Sequence, residues 1–146
     1  MKKIIVIFTI LLTAGCAAPI QSVQPVSEVQ RGTELCIIEN PDVRDSFITI
    51  YETALLDKGV NVKILSPNAK KNDCKLTSTY TAKWRWDLAL YMAYAKISVY
   101  RDDWLFGEAL YDAMASGGNF GKFIDAEEKI KEMVMQLFPG LHSARK

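Results

Sequence analysis

The segment from Leu76 to Trp86 constrains the fold of this chain more than any other. Its residues alternate between two sets: Thr77, Thr79, Thr81, Lys83 and Arg85, and Ser78, Tyr80, Ala82, Trp84 and Trp86. Because successive side chains of a β-strand point to opposite faces of a sheet, this period of two predicts a strand with one solvated face. The second set, with both tryptophans, is predicted to lie in the core beneath helices.

Two more strands are predicted directly after this one. Residues 90–100 are apolar on both faces, as is typical of a central strand, and residues 104–113 form the last strand of an antiparallel meander. Turns are expected near Asp87 and at residues 101–103. At the carboxyl end, Asp125 and Glu128 form a capping pair that predicts a final helix, which Pro139 and Gly140 end.

The region before the meander predicts a strand, a helix and a second strand. The apolar run 35–38 indicates a buried strand, and the alternation over 60–65 indicates another. Between them Asn40-Pro41-Asp42 and an apolar stripe predict a helix that has Pro41 or Asp42 in its first turn and ends at Lys58-Gly59. The order β-α-β-β-β-β-α predicts an α+β two-layer sandwich, with a mostly antiparallel sheet and two helices on one face.

The amino-terminal residues predict a secreted and lipid-modified protein. Two lysines precede an apolar stretch of 11 residues from Ile4 to Ala14, whereas a membrane-spanning helix needs about 20. The following Gly15-Cys16 resembles the lipobox of bacterial lipoproteins, which implies cleavage between these two residues and a diacylglycerol on the Cys16 thiol. The alternative is an ordinary signal peptide, cut near Ala17 or Ala18.

The predicted organisation has four parts. Residues 1–15 are the signal, 16–31 a lipidated flexible linker, 32–140 one α+β domain, and 141–146 a polar tail. In enterobacterial lipoproteins an Asp after the modified cysteine favours the inner membrane. Here Ala17 stands at that position, so the resemblance implies the outer membrane, with the domain on the periplasmic side and the inner membrane the less favoured address.

Charge and cysteine usage fit this compartment. Loss of Lys2 and Lys3 with the signal leaves 16 basic and 17 acidic residues, a balance that gives no support for a nucleic-acid partner. Because the envelope is oxidising, Cys36 and Cys74 are predicted to form a disulfide. The alternative is a pair of free buried thiols.

The sequence offers no catalytic, metal or cofactor site. The only histidine is His142, in the polar tail, which argues against nucleophilic catalysis through a histidine base. Asp102-Asp103 and Glu127-Glu128 are interpreted as turn and helix-start acids. The glycine-rich residues 117–122 lack the P-loop pattern, so we interpret them as a connector.

Two groups of residues are candidates for binding. The polar face of the first meander strand carries Thr79, Thr81, Lys83 and Arg85; it is either a binding surface or a plain solvated face. A second group of aromatic residues suggests a lipid or glycan site, although core packing explains the same residues. They are Tyr80, Trp84, Trp86, Tyr91, Tyr94 and Trp104.

The second half of the chain is similar in layout to the amino-terminal domain of TolB and to related lipoproteins of outer-membrane assembly. The similarity runs through residues 94–100, the run Gly107 to Asp112, Lys122-Phe123 and residues 128–130. It implies a non-enzymatic domain that binds other outer-membrane or periplasmic proteins. It transfers no functional residue beyond Cys16, and this chain has no propeller domain.

Overall fold

The computed structural model describes residues 18–116 and 119–141. Six strands and two helices follow the chain in the order β1, β2, α1, β3, β4, β5, β6, α2. Their bounds are β1 Ile20–Gln24, β2 Glu34–Ile38, α1 Asp45–Asp57, β3 Asn61–Leu65, β4 Leu76–Asp87, β5 Ala89–Arg101, β6 Trp104–Asp112 and α2 Ala126–Leu137. A short 3-10 helix, Phe120–Phe123, precedes α2.

All six strands form one sheet in the order β1-β6-β5-β4-β2-β3. The β4–β5, β5–β6 and β1–β6 pairs are antiparallel, and β2 runs parallel to both β3 and β4. The helices pack against each other and against the sheet. The predicted α+β class, the mostly antiparallel sheet and the β4–β6 meander are therefore confirmed.

The core forms where the apolar stripes of both helices meet the alternate residues of the strands. Phe47 and Tyr51 of α1 are fully buried, and the ring of Phe47 stacks on that of Tyr80 with centroids 5.1 Å apart. The Tyr51 hydroxyl lies 2.8 Å from the Ser78 hydroxyl, so the phenol keeps a partner inside the core. Burial raises the pKa of Tyr51, and the Ser78 hydrogen bond only partly opposes that rise.

The predicted flexible linker, residues 16–31, is wrong in its described part. Ile20–Gln24 is an edge strand that pairs with β6 along all five residues. The chain then crosses to β2, and on the way the buried Val26 donates its backbone N–H to the Leu137 carbonyl at the end of α2. Prolines and glutamines around this short segment hid the strand, because β-pairing depends on a partner that lies nearly 90 residues away.

Two local details also differ from the sequence expectations. Helix α1 begins at Asp45 rather than at Pro41 or Asp42, because Val43 donates to the Asn40 carbonyl in a preceding turn. Trp84 packs at the edge of the core, but Trp86 is 74% exposed, so the prediction that both tryptophans are core residues is wrong for Trp86. Strand β4 extends beyond the helices there, which leaves nothing to bury the second indole.

The capping prediction for α2 is confirmed at its first residue. The Asp125 side chain accepts a hydrogen bond from the Glu128 backbone N–H, which satisfies one of the free amides of the first turn. At the other end of the helix layer, the buried Lys58 ammonium donates to the carbonyls of Phe138 and Leu141. This contact joins the end of α1 to the chain that leaves α2. Burial lowers the pKa of Lys58.

A polar network fastens β1 to α2. Gln21 donates to Glu132 and Gln136, and the Lys129 ammonium donates to both Gln21 and Glu132. The hydrogen bonds from Lys129 and then from Gln21 lower the pKa of Glu132 below its ordinary value. This carboxylate therefore stabilises the folded state above its unfolded pKa of about 4.3, and that contribution is lost as the pH falls through the lower folded pKa.

We expect Glu132→Gln to have a lower free energy of unfolding than wild type. This difference should be largest near neutral pH and shrink below about pH 4. Urea unfolding of both proteins at a series of pH values measures it. Glu127→Gln is the control, because its exposed pair with Lys131 lies on α2 but does not touch β1. An equal pH dependence for wild type and Glu132→Gln would contradict the proposed role of this carboxylate.

Candidate functional site

The face of β4 and β5 opposite the helices is uncovered, and we call it the open face. It consists of Thr79, Thr81 and Lys83 on β4, which pair with Ser98, Lys96 and Tyr94 on β5, and it continues to Arg85 near the end of β4. Thr79 and Thr81 are half-buried, whereas Lys83 and Arg85 are exposed. The structure therefore places all four candidate binding residues in one row.

The charges of the open face are distributed unevenly. Lys96 lies 3.8 Å from Glu108 on β6, and that carboxylate also accepts a hydrogen bond from Ser98. In contrast, Lys83 and Arg85 have no acidic partner within 4.0 Å among the residues that the structure describes. The free cationic charge of this face is therefore concentrated towards the end of β4.

The opposite end of the open face carries an aromatic and lysine contact. The Lys71 ammonium lies 3.8 Å from the centroid of the Tyr100 ring. Burial raises the pKa of Tyr100, but hydrogen bonds with Lys71 and Thr79 outweigh it and hold the pKa below its ordinary value. Tyr100 and Lys71 therefore form a contact between an aromatic ring and a cation at this end of the open face.

The predicted disulfide between Cys36 and Cys74 is present, with the two Cα atoms 6.2 Å apart. It fastens β2 to the loop that precedes β4, next to the short parallel pairing of these strands. Glu34 lies close enough to the two sulfurs for the three side chains to resemble a metal-binding group. Because the sulfurs are bonded to each other, they offer no thiolate, and the group acts here as a crosslink.

The remaining sequence candidates fall in separate places. Asp102 and Asp103 form the exposed β5–β6 turn with positive φ angles of 49° and 68°, and Glu127 pairs with Lys131 on the surface of α2. These carboxylates do not converge on one site. Gly15, Cys16, His142 and the glycines at 117 and 118 lie outside the described residues.

The aromatic candidates do not line one common site either. Tyr80 is in the core, and the exposed Trp86 and Trp104 lie near opposite ends of the meander. Trp84 and Tyr91 line a cavity of about 310 Å³ between the start of β5 and the segment before α2, and Phe123 closes one side of it. A second cavity, of about 330 Å³, lies beside the β1–β2 connection, and its wall includes Glu28, Lys75 and Arg101.

Sequence reasoning missed a group of exposed apolar side chains. Trp86, Leu88 and Leu90 surround the β4–β5 turn and are 74%, 80% and 50% exposed. The pattern around Leu88 did signal a turn, but turns are ordinarily polar, and only the structure shows that three large apolar residues stand free there. No helix among residues 18–116 and 119–141 is long and apolar enough to cross a membrane.

No protein-family model matches the chain, and no curated protein sequence does. Among the solved structures that share its fold are two of PelC. One is a PelC dodecamer from Paraburkholderia phytofirmans, with a TM-score of 0.58 and 14% identity, covering 82% of this chain and 98% of that one. The other is a dodecamer of a PelC variant with one Leu-to-Met substitution, from the same organism, with a TM-score of 0.56 and 10% identity, covering 88% and 100%. The solved structures are thus PelC rather than TolB or assembly lipoproteins, and at these identities they show the fold alone.

Proposed function

We propose that this protein is a non-enzymatic envelope lipoprotein, tethered by Cys16 to the periplasmic side of the outer membrane, that works through contacts with other envelope proteins. The observation that carries this proposal is the open face. It is a surface of hydroxyl and cationic side chains on the sheet, and two of its cations have no acidic partner among the described residues. Such a surface suits recognition of a protein with complementary charge better than it suits chemistry on an enclosed substrate.

The fold comparison supports protein contacts as the way this domain works. Two structures that share the fold are dodecamers of PelC, so in those proteins this architecture makes contacts between copies of the same chain. The sheet of this protein also ends in two short edge strands, β1 and β3, with backbone groups free to pair with a further strand. A partner of this protein is therefore either a second copy or another envelope component.

A second candidate function is the binding of a lipid or glycan. The cavity beside Trp84, Tyr91 and Phe123 favours it, because aromatic side chains and polar atoms share its lining, as they do in sites that bind small ligands. Native mass spectrometry of the protein purified from membranes tests this alternative. A co-purified lipid or sugar that disappears with Phe123→Ala supports it, and a bare protein mass argues against it.

In-cell crosslinking of the tagged full-length protein tests the main proposal. Wild type, Cys16→Ala and Lys83→Glu/Arg85→Glu are compared, and captured proteins are identified by mass spectrometry. We expect wild type to capture a discrete envelope protein or its own copies, and both variants to lose that product. Lys131→Glu is the control, since this exposed lysine lies on α2 and away from the open face.

The outcomes separate the two parts of the proposal. If only Cys16→Ala loses the captured product, the result supports the role of the lipid anchor. It contradicts the role of the open face in binding. Capture that is equal in all four proteins would contradict both parts. The intact mass of the purified protein reports independently whether Cys16 carries acyl chains.

A further inference from the structure

The end of the meander at the β4–β5 turn exposes a compact group of large apolar side chains, Trp86, Leu88 and Leu90, which we call the apolar tip. The 3-10 helix is joined to this turn, because Lys122 forms an ion pair with Asp87. Scattered apolar residues are normal on a protein surface, but three large ones around one turn form a patch of the kind that marks an interface.

The backbone conformation at the apex of the tip is unfavourable for a leucine. Leu88 sits at the apex with a φ angle of 61°, in the left-handed region that glycine and asparagine adopt at lower cost. A leucine here neither packs in the core nor eases the turn, since its side chain is 80% exposed. Folding therefore does not explain this residue, whereas an apolar environment outside the protein does.

The position of β1 places its first residue, Ile20, towards the same end of the sheet. Ile20 pairs with Asp112, Asp112 with Tyr94, and Tyr94 with Lys83. From Lys83 to Asp87 the strand advances by four residues, or about 13 Å, towards the tip. The four residues from Ile20 back to Cys16 have a fully extended length of about 14 Å. A lipid on Cys16 is therefore within reach of the level of the apolar tip.

The charges behind the tip are those expected next to a phospholipid surface. Arg85 and Lys83 are exposed on the strand that leads to the turn, and the Arg44 guanidinium lies over the Trp84 ring at 5.3 Å from its centroid. The one carboxylate in the turn, Asp87, is paired with Lys122. Indoles favour the depth of the lipid headgroups, and cations beside them contact the phosphates.

We propose that the apolar tip inserts into the surface of the lipid bilayer, so that the domain stands on the membrane through two attachments, the acyl chains of Cys16 and the side chains of the β4–β5 turn. This inference rests on the proposed lipidation. Two attachments fix the orientation of the sheet, with the tip in the headgroup region and the β5–β6 turn directed away from the membrane. Strand β5 separates the two turns by roughly 40 Å.

Tryptophan fluorescence tests this proposal, because Trp86 and Trp104 are almost equally exposed, at 74% and 82%, and lie at opposite ends of β5. The full-length mature lipoprotein is reconstituted in vesicles of phosphatidylethanolamine and phosphatidylglycerol that contain brominated lipids. Trp84→Phe/Trp104→Phe leaves Trp86 as the reporter, and Trp84→Phe/Trp86→Phe leaves Trp104. We expect about a twofold loss of fluorescence and a blue shift for Trp86, and no change for Trp104.

A second variant changes the apolar tip itself and leaves Trp86 in place. Leu88→Asn suits the left-handed backbone, so we expect it to fold at least as stably as wild type while reducing the quenching of Trp86. If the Trp84→Phe proteins misfold, Trp104→Phe alone reports the same difference against wild type.

Each outcome has a distinct meaning. A membrane-bound lipoprotein in which Trp86 is no more quenched than Trp104 overturns the insertion of the tip and leaves the anchor intact. Crosslinking of the tip to a protein instead of quenching by lipid also overturns it. A chain without acyl mass on Cys16 overturns the proposed lipoprotein, and that result is read from the mass spectrum before any fluorescence is measured.

Discussion

Removal of the Cys36–Cys74 bridge is expected to lower the free energy of unfolding by about 3–4 kcal/mol in the chain-entropy description. The bridge joins positions 38 residues apart, so it restricts a long stretch of the unfolded chain. In the folded state it joins β2 to the segment that enters β4, where the parallel pairing extends over only two pairs of residues. Without the bridge, the β2–β3 side of the sheet depends on α1 and on this short ladder.

Cys36→Ala/Cys74→Ala in a Cys16→Ala background measures this effect by urea unfolding, with the oxidised Cys16→Ala protein as the reference. The reduced Cys16→Ala protein is a second comparison, because reduction breaks the disulfide but keeps the volumes of both cysteine side chains. Reduced and double-alanine proteins that match the oxidised one in stability would show that the ladder and helix contacts suffice. If only the double-alanine variant loses stability, the effect comes from packing around the buried Cys36 and not from the crosslink.

Gly107→Ala is expected to destabilise the fold by about 1–3 kcal/mol, although alanine is the smallest possible addition. A Cβ atom at Gly107 would lie 2.5 Å from a methyl carbon of Val26 and 2.9 Å from the backbone oxygen of Gln24. The first contact involves a short branched side chain that is buried, and the second involves backbone. The connection from β1 to β2 must therefore move away from β6 to admit the methyl group.

A double-mutant cycle with Val26→Ala isolates the cause of this effect. If the clash with Val26 dominates, Gly107→Ala costs less in the Val26→Ala background than in wild type, as urea unfolding will show. Gly140→Ala is the control, because nothing lies within 4 Å of a Cβ atom at that position. An unchanged stability for Gly107→Ala would contradict the close approach of the two segments.

Local pattern determined most of this fold. The alternation in β4 requires a strand with two unlike faces, the stripe through Phe47 and Tyr51 requires a helix on an apolar layer, and Asp125 marks the start of α2. The pairing of Cys36 with Cys74 followed from the oxidising compartment that the amino-terminal residues predict and from the absence of other cysteines in the predicted domain. These features depend on neighbouring residues and on chemistry, so they can be read from the sequence.

Tertiary structure decided the features that depend on distant partners. Strand β1 exists because β6 offers it a free edge and α2 offers Gln21 a polar network, and neither is visible in residues 20–24. The exposure of Trp86 was equally hidden, since alternation assigns a side chain to a face of the sheet but not to the covered part of that face. Where β4 runs past the helices, the same face changes from core to surface, and only the length and position of the helices fix that boundary.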